Sequence, residues 1–189
     1  AMAAADTLGM TFNGAGDSNL DFAVGGAAAS LSLVDATITG FDTIDVTAGV
    51  GGNSLTLDAG AIVGDVTLDG DASADLTLSE TGDYTNLTIT DGDFASITLG
   101  DGVTATVDEG ILSSSVTDIL GDAIGTENFN VGASTATAAI DLSNVATVTG
   151  LNAINVTDGT GDNLITLSAT DAVRAITSVS LSATAGDND

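Results

Sequence analysis

The stretch from Ser54 to Val107 decides the fold, because six short segments in it repeat one pattern at a nearly constant spacing. They read Ser54-Leu-Thr-Leu57, Asp65-Val-Thr-Leu68, Asp75-Leu-Thr-Leu78, Asn86-Leu-Thr-Ile89, Ser96-Ile-Thr-Leu99 and Thr104-Ala-Thr-Val107. Within each segment apolar and polar residues alternate, which is the pattern of a half-buried β-strand. The threonines of the first five segments are almost evenly spaced, and they are Thr56, Thr67, Thr77, Thr88 and Thr98.

Short runs of aspartate and glycine separate these segments and predict turns. A regular alternation of short strands and turns fits two all-β folds. One is a parallel β-solenoid in which two strands make one coil, so that every second segment stacks on the same face. The other is an antiparallel β-sandwich. We favour the solenoid, because parallel stacking brings identical residue types of successive coils into register.

In a solenoid the threonines form outward columns, one of Thr56, Thr77 and Thr98 and one of Thr67 and Thr88. The aliphatic residues then form inward columns that fill a narrow core. These columns are Leu55/Leu76/Ile97, Leu57/Leu78/Leu99, Val66/Leu87 and Leu68/Ile89.

A longer internal repeat aligns residues 37–60 with residues 147–170 without gaps, and half of the aligned positions are identical. Repeats of this kind are typical of proteins built by stacking. We therefore expect residues 1–189 to form a single β-rich domain.

Two short helices are also expected. Between residues 109 and 125, apolar residues recur at helical spacing, which predicts a helical cap on one end of the stack. The residues Ser168 to Asp171 resemble a capping box that opens a second helix through about Ile176.

Composition excludes several classes of function. The chain carries 27 acidic residues against one basic residue, Arg174, so its formal net charge is −26. Nucleic acid is not expected as a partner, because phosphate contacts require clustered lysine and arginine. Cysteine and histidine are absent from the sequence, which excludes a zinc-type site. The longest apolar runs are too short for a membrane span, so membrane insertion is not expected.

The aspartate-rich turns are the candidate metal-binding sites. The turns Asp69-Gly-Asp71 and Asp91-Gly-Asp93 lie about one coil apart, so a solenoid brings their carboxylates to one edge, where like charges repel unless a cation lies between them. Calcium suits such a site, because it takes several oxygen ligands in flexible geometry. The sequence predicts Ca²⁺ ligands among Asp58, Asp69, Asp71, Asp91, Asp93, Asp101, Asp158 and Asp162.

Catalysis is not expected. Histidine, cysteine and lysine are missing as acid–base groups. A pair of aspartates that lie close together is not evidence for a catalytic site in a chain that contains so many of them. A ligand-binding module remains the alternative, since threonine columns on β-solenoids can order ice-like water.

The segment from Ile140 to Val173, with its looser copy from about Asp21 to Val63, resembles repetitive bacterial extracellular surface proteins. These include adhesins exported by type I secretion and calcium-dependent S-layer proteins. The resemblance implies a location outside the cell or on the bacterial surface, stabilisation by calcium and a structural or adhesive role. The glycine-rich nonapeptide tandem of such proteins is missing from this sequence.

Together these features predict a self-assembling, non-enzymatic building block of a surface layer, filament or adhesin, forming a homo-oligomer or polymer. A surface glycan is a further possible partner. The alternative is a ligand-binding module for polysaccharide or ice.

Overall fold

A computed structural model describes residues 9–16, 18–22, 30–46, 52–90, 93–112, 116–122, 126–132, 139–143, 145–158, 164–167 and 178–183. In these residues twenty strands and one single turn of 3₁₀ helix, Glu109–Ile111, are formed. The strands are β1 (Thr11–Asn13), β2 (Asn19–Asp21), β3 (Ser30–Ser32), β4 (Thr37–Thr39), β5 (Thr43–Asp45), β6 (Ser54–Leu57), β7 (Ile62–Val63), β8 (Val66–Asp69), β9 (Asp75–Leu78), β10 (Gly82–Tyr84), β11 (Leu87–Ile89), β12 (Ser96–Leu99), β13 (Thr104–Asp108), β14 (Asp118–Leu120), β15 (Glu127–Gly132), β16 (Ala139–Leu142), β17 (Thr147–Thr149), β18 (Leu151–Asp158), β19 (Leu164–Leu167) and β20 (Ser178–Ala183).

Each strand pairs in parallel with a strand at the same place in a neighbouring coil, which confirms the β-solenoid and excludes the antiparallel sandwich. Three strand positions recur along the chain and define three faces. The first face holds the sheets β1-β4-β7 and β10-β13-β15-β18-β20. The second holds β2-β5-β8-β11 and β16-β19, and the third holds β3-β6-β9-β12-β14-β17.

The predicted register is confirmed. Thr56 pairs with Thr77, and Thr77 pairs with Thr98, while Thr67 pairs with Thr88. The predicted inward columns are all buried, with relative exposures of 4% or less. Full burial of such an aliphatic side chain contributes roughly 1.5–3 kcal/mol. The prediction that every second segment stacks is confirmed, because β6 pairs with β9 and β9 pairs with β12. Each of these coils also contains a third short strand that the sequence pattern did not predict, β7 or β10.

The helix expected between residues 109 and 125 is wrong for the described part of that segment. Its first residues make only the 3₁₀ turn, which lies against β11 on the second face. Ile119 lies in β14, paired with Ile97 and Val148 of the neighbouring coils. The strand replaces a helix because β12 presents backbone groups that must be hydrogen-bonded, and a short apolar pattern does not separate the two structures. The second expected helix lies outside the described residues.

The long internal repeat occupies different faces in its two copies. Residues 37–60 supply β4, β5 and β6, which lie on the first, second and third faces in that order. Residues 147–170 supply β17, β18 and β19, which begin one face earlier, on the third. The repeat therefore encodes a strand–corner–strand unit that fits more than one corner of the coil.

A glycine makes that shared corner possible. Gly40 and Gly150 both adopt positive φ, at 69° and 74°. A Cβ atom on Gly150 would overlap the carbonyl oxygen of Asp122 in the preceding coil.

None of the described segments is a helix with the length and hydropathy that a membrane span requires.

We expect Gly150→Ala to lower the free energy of unfolding by about 2–5 kcal/mol, because it adds a backbone overlap to the cost of a left-handed conformation. The matched control is Gly16→Ala, since Gly16 has φ 72° and nothing within 4 Å of its Cβ position. The control should lose only about 1–2 kcal/mol. Urea denaturation measures both variants, and equal losses would contradict the role given to the close coil contact.

Candidate metal centre

One corner of the coil carries an acidic residue in five successive coils. It is the corner between the third and first faces, and we call it the acidic corner. Its residues recur at nearly one coil length, and they are Asp35, Asp58, Glu80, Asp101 and Asp122. Coils stack at about 4.8 Å, so these carboxylates follow one another along the molecule.

At the end of the acidic corner three carboxylates converge. Asp101 lies in the turn between β12 and β13, Asp122 follows β14, and Glu127 begins β15. Oxygen atoms of all three lie within 4.8 Å of one another. Asp101 is exposed and Asp122 half-buried, whereas Glu127 is fully buried.

Four hydrogen bonds from neighbouring residues hold the buried Glu127 carboxylate. Its Oε1 accepts from the Gly102 amide at 2.8 Å and from the Thr126 hydroxyl at 2.9 Å. Its Oε2 accepts from the Thr126 amide at 3.0 Å and from the Asp122 amide at 3.3 Å. A buried charge is tolerated when it is hydrogen-bonded in this way.

These donors also determine the charge of Glu127. Burial raises the pKa of this carboxyl, but the hydrogen bonds from Gly102 and Thr126 lower it by a larger amount. The net pKa therefore lies below its ordinary value. The folded state therefore holds Glu127 ionised, and this contribution to stability is lost only as the pH falls through the lowered pKa.

Glycine allows the close approach of the chain to this carboxylate. A Cβ atom on Gly121 would lie 2.9 Å from Oε2 of Glu127 and would overlap the carbonyl oxygen of Gly150. Gly102 has φ 70°, which places its amide beside Oε1.

Three converging carboxylates can hold a metal ion. Their mutual repulsion falls when a cation lies between them, and oxygen-only ligands suit a hard cation such as calcium or magnesium. Because the two oxygens of Glu127 already accept four hydrogen bonds, Asp101 and Asp122 would supply the direct ligands, and Glu127 would act through its charge.

Of the predicted ligands, Asp101 belongs to this cluster and Asp69 lies beside Asp93 at another edge. The carboxyls of Asp69 and Asp93 are close enough for a side-chain hydrogen bond. Asp69 also pairs in register with Asp45, which pairs with Asp21, so aspartates stack in three successive coils of the second face. Burial, Asp93 and Asp45 raise the pKa of Asp69.

Asp71 does not join this pair. Its carboxylate accepts hydrogen bonds from the hydroxyl of Ser73 at 2.5 Å and its amide at 2.9 Å, and from the amide group of the Asn53 side chain at 3.1 Å. Burial raises the pKa of Asp71, but the bonds from Ser73, Gly52 and Asn53 bring it below its ordinary value. The predicted meeting of both Asp-Gly-Asp turns thus holds for Asp69 and Asp93, while Asp71 closes a local turn.

Asp58 lies on the acidic corner, where its Oδ2 accepts a hydrogen bond from the Asp35 amide at 2.7 Å. Its Oδ1 is buried and accepts no hydrogen bond from the described residues. Asp58 also lines, with Tyr84 and Asn86, a cavity of about 10 Å³, roughly the size of one water molecule. Burial and the nearby Asp58 and Glu80 carboxylates raise the pKa of Tyr84 to about 12.

The remaining predicted ligands are not placed. Asp91 and Asp162 lie outside the described residues, and Asp158 ends β18, with its side chain outside the described part of the chain. Their binding of calcium stays a prediction.

Sequence reasoning missed Asp122 and Glu127. Both lie in or next to residues 109–125, for which the sequence pattern predicts a helix and not a further coil. Asp101 and Asp122 are 21 residues apart, within one residue of the 22 that separate the register partners Ser96 and Asp118 of β12 and β14, and this spacing is the signal that could have found Asp122. Glu127 follows no such spacing and is recognised only from its buried position.

No protein family, curated protein or solved structure matches this chain.

We expect Asp69→Asn to stabilise the protein at neutral pH in the presence of a chelator, because it removes a like charge between stacked strands. The raised pKa means that the folded state binds more protons than the unfolded state above pH 3.8, so ionised Asp69 lowers stability as pH rises. The gain should be roughly 0.2–1 kcal/mol, or about 0.4–4 °C in Tm.

Thermal denaturation between acidic and neutral pH measures this effect, and the gain should vanish at the acid end. The control is Asp65→Asn, which removes the same charge from an exposed position. An equal gain in the control would show that net charge, not the stacked pair, is responsible.

Proposed function

We propose that this protein is a structural module of a bacterial extracellular assembly, a calcium-stabilised β-solenoid that associates with itself in a surface layer, filament or adhesin. The solenoid fold is compatible with such a role, and the resemblance of residues 140–173 to bacterial surface proteins supports it. The carboxylate cluster Asp101/Asp122/Glu127 carries the calcium part of the proposal.

The charge of the chain explains why calcium matters. With a formal net charge of −26 and a single arginine, the protein has almost no internal counterions. Self-repulsion destabilises a compact state and keeps copies apart. Divalent cations along the acidic corner relieve both effects at once, so folding and association depend on the same ion.

Calcium should therefore raise the melting temperature and promote assembly, and chelation should reverse both. Asp101→Asn should weaken the site about tenfold, which removes about 1.4 kcal/mol of the stabilisation by calcium, or about 3–6 °C of the Tm increase. Asp65→Asn is the matched control, because both aspartates are exposed and only Asp101 belongs to the cluster.

Calorimetry with and without millimolar calcium measures the shift, and light scattering follows assembly. Identical melting curves in calcium and chelator would refute calcium binding. A monomer at high protein concentration in calcium would refute self-association.

Glycan binding is a second candidate, supported by polar ladders on the first face. The Asn155 amide donates to Oδ1 of Asn130 at 2.8 Å, and the Asn152 amide donates to Oδ1 of Asn128 at 2.8 Å. The Asn128 amide continues to the Thr104 hydroxyl at 3.0 Å. Ordered side-chain amides and hydroxyls can form hydrogen bonds with sugar hydroxyls. Binding of the monomer on a glycan array would favour this candidate over assembly if the Asn130→Ala variant lost that binding.

A further inference from the structure

The first face is interrupted between β7 and β10. Both strands lie within residues 52–90, all of which the structure describes, and they do not pair although they belong to successive coils. On the other two faces the same two coils are joined without interruption, because β6 pairs with β9 and β8 pairs with β11. The gap is therefore a local feature inside the described stack.

A displaced alternation of side chains explains the gap. Register partners beside it are 21 residues apart, as Leu57 and Leu78 are. The same spacing would set Val63 opposite Tyr84. Val63 is 58% exposed, whereas Tyr84 is only 2% exposed, so these two side chains point to opposite sides of the face. A displacement of one residue reverses the side of every side chain, and the two strands cannot form a regular ladder.

The side chain of Asn86 takes over part of the missing ladder. Its Nδ2 donates to the carbonyl oxygen of Ile62 at 3.1 Å and to that of Gly64 at 2.8 Å. A residue that follows β10 thus satisfies two backbone acceptors in and next to β7, as buried or half-buried backbone groups require. Both N–H donors of the amide are used, which leaves its Oδ1 as an acceptor.

A small cavity lies beside this gap. Ile62 of β7 lines it, as do Asp83 and Tyr84 of β10, together with Asp58 and Asn86. Oδ1 of Asp58 is buried and accepts no hydrogen bond from the described residues. A buried carboxylate oxygen without a donor is costly, so a donor from outside the chain is favoured here.

The size and lining of the cavity indicate which donor fits. Its volume of about 10 Å³ is roughly that required by one water molecule. A calcium ion takes about 6–8 oxygen ligands, whereas a buried water makes only about three hydrogen bonds. Half of the lining residues are apolar, namely Leu57, Ala59, Ile62 and Leu87. This lining suits a water molecule better than a hard cation.

We propose that one water molecule is bound in this cavity, where it donates to Oδ1 of Asp58 and links β7 to β10. The Asn86 Oδ1 and the polar groups of Asp83 and Tyr84 are available for its further hydrogen bonds. Water-mediated bonds are nearly as favourable as direct ones, so the two halves of the first face are joined in spite of the displaced alternation. This inference does not depend on calcium binding or self-association.

Crystal structures of the protein grown in calcium and in a chelator test the proposal. In both we expect one density peak in the cavity, about 2.7–2.8 Å from Oδ1 of Asp58, which is the usual O–H···O distance. A peak present only in calcium, at about 2.3–2.6 Å, would be a metal ion and would overturn the proposal. A cavity without density in both crystals would overturn it too.

Asp58→Asn separates water from a cation by a second route. The variant removes the charge and keeps the shape of the side chain. A water molecule can accept a hydrogen bond from the new amide group, so its peak should persist in the chelator crystal of the variant. Loss of the peak would mean that the carboxylate charge held the bound species, and the water assignment would be wrong.

Nuclear magnetic resonance tests the same site in solution. A buried water should give NOE cross peaks with the backbone amide protons of Asp83 and Tyr84. The control is the Ile38 amide on the same face, which donates to the Ala61 carbonyl at 2.7 Å across a continuous strand pair and should give none. The Tyr84→Phe variant, verified as folded by circular dichroism, should keep the Asp83 cross peak. Its loss would assign the signal to the exchanging Tyr84 hydroxyl and contradict the proposal.

Discussion

Parallel pairing of successive coils is the constraint on which the rest of this structure depends. The strands are short, and none could satisfy its backbone amides and carbonyls alone. Each must have a neighbouring coil in register, since an unpaired buried backbone group costs as much as a lost hydrogen bond. Register then brings like residues together, leucine on leucine inside and threonine on threonine outside.

The same register stacks aspartates, and the carboxylates of this molecule lie in two kinds of environment. Glu127 and Asp71 are surrounded by amide and hydroxyl donors, which hold their pKa values below the ordinary range in spite of burial. Asp69 has Asp93 and Asp45 beside it, and its pKa is raised. Local hydrogen bonds therefore decide whether a carboxylate stabilises this fold or opposes it at neutral pH. Cations would relieve the unfavourable positions.

The long repeat shows what a stretch of this sequence encodes. Its two copies share a glycine with positive φ and an apolar residue four positions later, Ile44 or Ile154, yet they lie on different faces. The local pattern specifies a strand, a tight corner and another strand. It does not specify which face receives them, because the corners place similar demands on the backbone.

The sequence by itself determined the strand segments, the columns of Thr56/Thr77/Thr98 and the aliphatic interior, because a regular coil length leaves a parallel stack only one register. It also placed Asp69 near Asp93. Only the tertiary structure decided that Ile119 lies in a strand and that Asp122 and Glu127 meet Asp101. Those outcomes depend on which backbone groups and which side chains the neighbouring coil presents, and no local pattern of residues carries that information.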